Sequence, residues 1–268
     1  MTARPGSTVV LDHVGVTFAG AGTHTEAVAD VTQSVPAGCF VSVIGPSGCG
    51  KSTLLDVVGG LLRPSRGRVL VDGTEVTGPR RDTAMVFQED STLHWRTVLE
   101  NVAFGLEVAR VPKARRYERA QHFVDLVGLR GFERHRPRQL SGGMKQRVAI
   151  ARALALEPRL LLMDEPFGAL DQQTRMLLAG ELLRIWQGTG ASVLFVTHDI
   201  HEAAYLADQV WVLSHRPAVV KEVVNVDLGR PRPTEVMLEP RFHELTDHLW
   251  QLLRVEAQKA LAGEARPG

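Results

Sequence analysis

Apolar and polar positions alternate with two different periods along this chain. Near the N-terminus Val9, Leu11, Val14, Val16 and Phe18 recur at about every second position, the spacing of a strand with one covered face. After the turn Pro36-Ala37-Gly38, an apolar run at 39–44 predicts a second strand. A helix is expected from Lys51 to about Leu61, ended by Arg63-Pro64-Ser65-Arg66-Gly67, because proline cannot continue it. Short strands are expected at 68–71 and 83–88, with Asp72-Gly73 as a turn. From about 97 to 157 the period lengthens. Val98, Val102 and Leu106 stand four apart, Phe123, Leu126, Val127 and Leu129 mark another face, and 143–156 is rich in alanine. This block reads as a helical insert. The α/β pattern then returns: strand at Leu160–Met163, helix at 172–188, strand at 192–197, helix at 200–207, strand at 209–214. Such alternation predicts a mostly parallel sheet with helices on both faces. Gly229-Arg230-Pro231-Arg232-Pro233 reads as a linker. Residues 241–258 form an amphipathic helix with Phe242, Leu245, Leu249, Leu252 and Leu253 on one face. The last ten residues are expected to be mobile.

Composition narrows the class without naming it. The chain has 268 residues, 44% of them hydrophobic and 23% charged, a soluble globular balance with room for one large core. A net charge of +1 gives no global field for nucleic acid or an anionic membrane. No apolar run approaches the roughly 18 residues that span a bilayer, and MTARPGSTVVLDHVG has no apolar stretch of the secretory kind. The two cysteines, Cys39 and Cys49, read as small packing residues in a reducing compartment. Beside a bound phosphate, Cys49 is expected to be sensitive to alkylation. Segment 110–147 holds eleven Lys/Arg against three Asp/Glu, which reads first as a solvated basic face and only second as attraction to a membrane surface.

The densest chemistry lies at Gly45-Pro46-Ser47-Gly48-Cys49-Gly50-Lys51-Ser52-Thr53. The form GxxxxGK[ST], placed between a strand and a helix, is built for nucleotide phosphates. Glycines accept positive φ and let backbone N–H groups converge on an anion, and the helix start adds favourable potential. Lys51 is placed to reach the β- and γ-phosphates, and the Ser52 hydroxyl to ligate Mg²⁺. Further on, the buried run Leu160–Met163 delivers Asp164 and Glu165 at its C-terminal end, where open α/β sheets bind ligands. Asp164 suits a Mg²⁺ shell, and Glu165 suits a base or orienter for attacking water.

Leu140-Ser141-Gly142-Gly143-Met144-Lys145-Gln146 resembles the signature motif of ATP-binding cassette (ABC) ATPases. It offers a second anion site from the Ser141 hydroxyl, the Gly142 and Gly143 N–H groups and a helix start. Met144 stands where that family usually has glutamine. The resemblance extends to other positions and implies their roles. Gln88 is similar to the Q-loop glutamine that contacts Mg²⁺ or water. Gly168-Ala169-Leu170-Asp171 resembles the D-loop, with Asp171 reaching across a dimer, although Asp171 also suits a helix N-cap. His198, in Val196-Thr197-His198-Asp199, resembles the switch histidine of the γ-phosphate. Phe18 stands where the family stacks an aromatic ring on adenine, and Val28 where a residue packs beside the base. The likeness runs from about Val9 to about Leu213.

The family implies a P-loop NTPase fold: a RecA-like core with a mostly parallel sheet, an antiparallel β subdomain and a helical insert. Residues 1–228 are expected to form the ATPase domain, with the insert at about 89–157, and residues 229–268 a C-terminal linker and helix. ATP and Mg²⁺ are the implied cofactors, with Glu165, His198, Gln88 and Lys51 catalytic and Ser52, Gln88 and Asp164 on the metal. Two copies are expected to pair head to tail on ATP at the cytoplasmic face of the cell membrane. There they would drive transmembrane permease subunits and, through them, an extracytoplasmic solute-binding protein. The run Phe87-Gln88-Glu89-Asp90-Ser91-Thr92-Leu93-His94-Trp95-Arg96-Thr97-Val98 and the stretch Leu213-Ser214-His215-Arg216-Pro217 resemble importers of nitrate, sulfonate and taurine. His94 replaces their usual proline, and Trp95 is a candidate contact for the permease. The alternative is an ATPase of the same fold acting on nucleic acid or the ribosome. The short distance between Lys51 and Ser141, with no heptad tract between them, and the presence of one cassette rather than two count against it. No nucleic acid partner is expected.

Overall fold

The structure, a computed structural model, describes residues 5–20, 23–88, 91–168 and 170–264, and of residues 20, 23 and 260–264 the backbone only. Glu89, Asp90 and Ala169 of the motifs above lie outside the described residues, as do 265–268 of the expected mobile end.

The described strands are β1 (Val9–Gly20), β2 (Thr23–Val35), β3 (Phe40–Ile44), β4 (Arg66–Val71), β5 (Thr74–Glu75), β6 (Thr83–Val86), β7 (Leu160–Asp164), β8 (Ser192–Val196), β9 (Gln209–Leu213) and β10 (Ala218–Asn225). They form one sheet in the order β5-β4-β1-β2-β10-β9-β3-β8-β7-β6. From β9 to β6 every pairing is parallel. From β5 to β2 every pairing is antiparallel, and β10 joins the two parts, antiparallel to β9 and parallel to β2. The expected mostly parallel sheet with an antiparallel β part beside it is therefore present.

The parallel strands read as continuous apolar runs because both their faces are covered. Period two divides each run between two cores. Phe40, Leu161, Met163, Val193, Phe195, Val210 and Val212 face one core, which continues into the helices of the insert and the C-terminal half. Val41, Val43, Leu160, Leu162, Leu194, Val196, Trp211 and Leu213 face the other, shared with helix α1 (Lys51–Val58) and the antiparallel strands.

The insert consists of α2 (Val98–Val108), α3 (Lys113–Leu126) and α4 (Gly142–Leu154), packed on one another. Thr97 starts α2 with a capping box: its side chain accepts the Glu100 N–H while Glu100 returns to the Thr97 N–H. After the insert come α5 (Gln172–Thr189), α6 (Ile200–Leu206) and α7 (Pro240–Glu264). Helix α7 buries Phe242 and Leu249 in the first core, with Leu245, Leu252 and Leu253 packed against it, and it stays helical into the stretch expected to be mobile.

Two sequence expectations change. The strand expected at 83–88 ends at Val86, so Phe87 and Gln88 lie in the loop beyond it. The stretch 229–233 does more than link. Arg232 is buried, donating to the carbonyls of Tyr205, Ala207 and Leu228, and Arg230 binds Asp208 and lies over the Trp186 ring.

Candidate nucleotide site

Parallel strands release their C-terminal ends on one edge of the sheet, and open α/β folds collect ligands there. On this edge β6 leads to Gln88, β7 ends in Asp164 and Glu165, β8 leads to His198, and β3 leads into loop 45–50. Segments distant in sequence thus meet around one cavity of about 530 Å³.

Loop 45–50 needs its glycines where they stand. Gly48 and Gly50 have φ of 70° and 119°, and a Cβ on Gly50 would lie 2.8 Å from the Ala27 carbonyl oxygen. The Lys51 side chain is buried, and its Nζ donates to the Gly45 and Pro46 carbonyls, each at 2.9 Å. Ser47, Gly48, Gly50, Lys51, Ser52 and Thr53 line the cavity; Gly45, Pro46 and Cys49 lie off its wall. Cys49 is the small packing residue that the sequence suggests, not an alkylation-sensitive thiol. It is buried in the second core, and burial pushes its thiol pKa up, which disfavours the thiolate that reacts.

Phe18 is 45% exposed and lines the same cavity, an uncovered aromatic face beside the loop. Val28 does not join it. That side chain is buried in the second core, and Thr25 and Ala27 of the same strand line the cavity instead.

Asp164 sits off the wall, 7% exposed and close enough to Ser52 to accept its hydroxyl. Burial raises its pKa, the Ser52 hydrogen bond opposes this, and the Glu165 charge adds to the rise. Its Oδ1 has no hydrogen-bond partner among the described residues. A buried carboxylate oxygen with no partner, beside a hydroxyl, is the donor set a hard divalent cation takes, so the residues fit Mg²⁺.

Glu165 has a φ of 42°, a left-handed conformation uncommon outside glycine. Its N–H donates to the Val196 carbonyl at 2.9 Å, which ties the turn to β8. Its Oε2 is where two other loops converge, Gln88 Nε2 at 3.2 Å and His198 Nδ1 at 3.0 Å. An ionised carboxylate only accepts, so His198 donates from Nδ1. Behind His198, Thr197 donates to Glu202 at 2.6 Å, and Arg175 binds both Asp199 and Glu202. Arg175 also donates to the Leu170 carbonyl, so one guanidinium joins the loop before α5 to the loop before α6.

The signature residues lie elsewhere. Ser141, Gly142, Gly143 and Met144 line a second cavity of about 490 Å³ together with Leu170 and Asp171. Ser141 caps α4 by accepting the Met144 N–H at 3.3 Å. Asp171 caps α5 by accepting the Thr174 N–H at 3.0 Å, a hydrogen bond that holds its carboxyl below the usual range. A Cβ on Gly143 would stand 2.6 Å from Leu170 Cδ2, so a larger residue there would require the Leu170 side chain to shift. No residue of 45–53 lines this second cavity, and no residue of 141–144 lines the first. The sequence reading missed Arg147 in the second cavity and Arg216 in the first. Arg147 stands one helical turn after Gly143, on the same face. Arg216 follows β9, the strand next to β3.

A family model described as ABC transporter matches residues 28–168. An uncharacterized ABC transporter ATP-binding protein of Methanocaldococcus jannaschii, MJ0412, is 50% identical over 240 residues, covering 90% of this chain and 89% of that protein. The nitrate import ATP-binding protein NrtD of Synechocystis is 44% identical over 243 residues, covering 88% and 91%. The taurine import ATP-binding protein TauB of Pseudomonas entomophila is 43% identical over 254 residues, covering 93% and 96%. Among solved structures, the dimeric post-hydrolysis state of the ATP-binding cassette MJ0796 with ADP and Pi superposes with a TM-score of 0.75 at 32% identity, covering 82% of this chain and 100% of that one.

Proposed function

We propose, from the premise that this chain belongs to the ABC transporter family and is its ATP-hydrolysing subunit, that it energises an importer of a small oxidised anion such as nitrate, a sulfonate or taurine. One observation carries the mechanism. The phosphate loop and Glu165 share one cavity, while Ser141 and Asp171 share another. A single chain then holds two half-sites, and two chains facing head to tail complete both. MJ0796, similar in fold, is itself a dimer in its ADP-bound structure.

In this reading Phe18 stacks on adenine and the N–H groups of 47–53 hold the phosphates. Lys51 draws the loop carbonyls together and offers its charge to the γ-phosphate. Ser52 and Asp164 would hold Mg²⁺, which when bound would supply charge neutralisation for the phosphates. Gln88 has its amide nitrogen on Glu165, so its oxygen is the atom left to face the metal or the water. Glu165 orients the attacking water and accepts its proton, the P–O bond to ADP breaks in line, and phosphate leaves. His198 steadies the carboxylate and faces the transferred group. The partner copy's Ser141 signature and Asp171 close over the phosphates.

Among the described residues no helix is long and apolar enough to cross a membrane. In this reading the transmembrane path belongs to separate permease subunits, with this chain held at the cytoplasmic face. A groove of about 770 Å³ between the sheet and the insert, lined by Phe87, Phe104 and Val108 with Arg80, Arg81 and Arg110, supports such a contact. Trp95, 70% exposed, offers a second. The likeness to NrtD and TauB over most of both chains supports the anion class.

The test is a reconstituted complex with its permease, titrated with binding proteins loaded with nitrate, taurine or an unrelated sugar. Stimulation of ATP turnover by an oxidised-anion carrier is expected. Stimulation by the sugar carrier alone contradicts the substrate class and leaves the ATPase standing.

A further inference from the structure

The turn between β9 and β10 brings an arginine to the nucleotide cavity. Arg216 lines its wall. The Arg216 Nε and Nη2 both donate to the Gly48 carbonyl, at 3.1 and 2.7 Å. Gly48 is a left-handed residue of the phosphate loop, with a φ of 70°.

The turn itself is held from the C-terminal helix. Glu256 of α7 is 4% exposed. Its Oε2 accepts both the backbone N–H and Nδ1 of His215, each at 3.1 Å, and its Oε1 accepts Lys259 Nζ at 2.7 Å. Burial works to raise the Glu256 pKa, but the bonds from Lys259 and His215 outweigh it and bring it to about 2. The carboxylate is thus charged at any ordinary pH. The Ser214 hydroxyl, 2.8 Å from the His215 carbonyl, accepts the Val219 N–H at 3.0 Å and closes the turn. A continuous set of contacts therefore runs from α7 through His215 and Arg216 to Gly48.

A glycine-rich loop is loose, and it must be fixed before its N–H groups can bind an anion together. A guanidinium gripping one loop carbonyl through two N–H groups fixes it with charge-assisted hydrogen bonds. The same cation adds positive potential to a cavity suited to polyphosphate. We propose that Arg216 is a positioning residue of the nucleotide site, bracing the phosphate loop at Gly48, and that Glu256 sets its place, so that the C-terminal helix governs nucleotide affinity. This rests on the cavity being the ATP site.

The experiment measures ATP affinity by calorimetry for the unaltered chain and for Arg216→Ala, Arg216→Lys, Glu256→Gln, the Arg216→Ala/Glu256→Gln pair and Lys51→Ala, with thermal melting of each. Loss of Arg216 should weaken ATP binding by about tenfold. Arg216→Lys, which keeps the charge but not the fork, recovers part of this. Glu256→Gln weakens binding several-fold, and the pair binds no worse than Arg216→Ala alone, because both act through one contact. A purely structural role lowers the melting temperature and leaves the affinity unmoved. If Arg216→Ala and Arg216→Lys bind ATP normally while Lys51→Ala has lost it, the inference falls and the ATP site stands. If Lys51→Ala also binds normally, the site assignment falls and takes the inference with it. Full additivity in the pair overturns the role of α7.

Discussion

Glu165 Oε2 is the atom on which two loops converge, with Gln88 and His198 both hydrogen-bonded to it, and the proposed mechanism makes it the base. Glu165→Gln keeps the shape and removes the base. We expect ATP affinity to persist while turnover falls by about 10²- to 10⁴-fold, and an ATP-bound dimer to accumulate on size-exclusion chromatography. Normal turnover by the variant contradicts the role. Glu202, four residues after His198 in the first turn of α6, carries a pH signature. It is buried, and burial lifts its pKa to about 7, against about 4.3 in an unfolded chain. The fold favours its protonated form, so this stabilisation is whole below about pH 4.3 and is lost as pH rises through 7, removing roughly 4 kcal/mol. Glu202→Gln should flatten the fall in melting temperature between pH 5 and 8. An unchanged slope would show the carboxyl already ionised at pH 5. At this scale the residues that line the two cavities were legible where they sit in contiguous motifs: within 47–53, at 141–143, at Glu165 and at His198. Arg216 and Thr25 were not, because sheet order, rather than spacing along the chain, brings them to the cavity.

Elements with a regular period were legible, and those with a broken one were not. Strands β3, β7, β8 and β9 stand within a residue or so of their expected positions because continuous apolar runs mark strands covered on both sides. Strand β2 escaped notice, since irregular register against β1 interrupts its alternation. The 229–233 stretch reads as a linker from its prolines, yet Arg232 packs beneath α6. There its Nη1 donates to the Tyr205 and Ala207 carbonyls at 2.9 and 2.7 Å, which the last turn of a helix leaves unpaired. Arg232→Ala should therefore lower stability by roughly 2–4 kcal/mol in urea unfolding, through unpaired carbonyls and lost packing. A change within about 0.5 kcal/mol, as surface sites give, would mean that the segment is only a tether.

At the scale of the molecule, one sheet edge presents the phosphate loop, both carboxylates and the histidine, while the insert carries Ser141 to a different cavity. The motif order in the sequence names these parts, but their separation in space appears only in the fold. In the proposed mechanism that separation makes hydrolysis a property of two chains, and closure of the pair is what would move the inserts against a permease. The direct measurement is complementation between two inactive variants, Lys51→Ala, which spoils the phosphate loop, and Ser141→Arg, which blocks the signature. In a mixed dimer both lesions fall on one site and leave the other whole. Mixing equal amounts should restore ATP turnover to as much as roughly a quarter of the unaltered rate, given a two-fold dimer. A mixture no more active than its separate components would mean that each chain completes its own site, and would contradict the account.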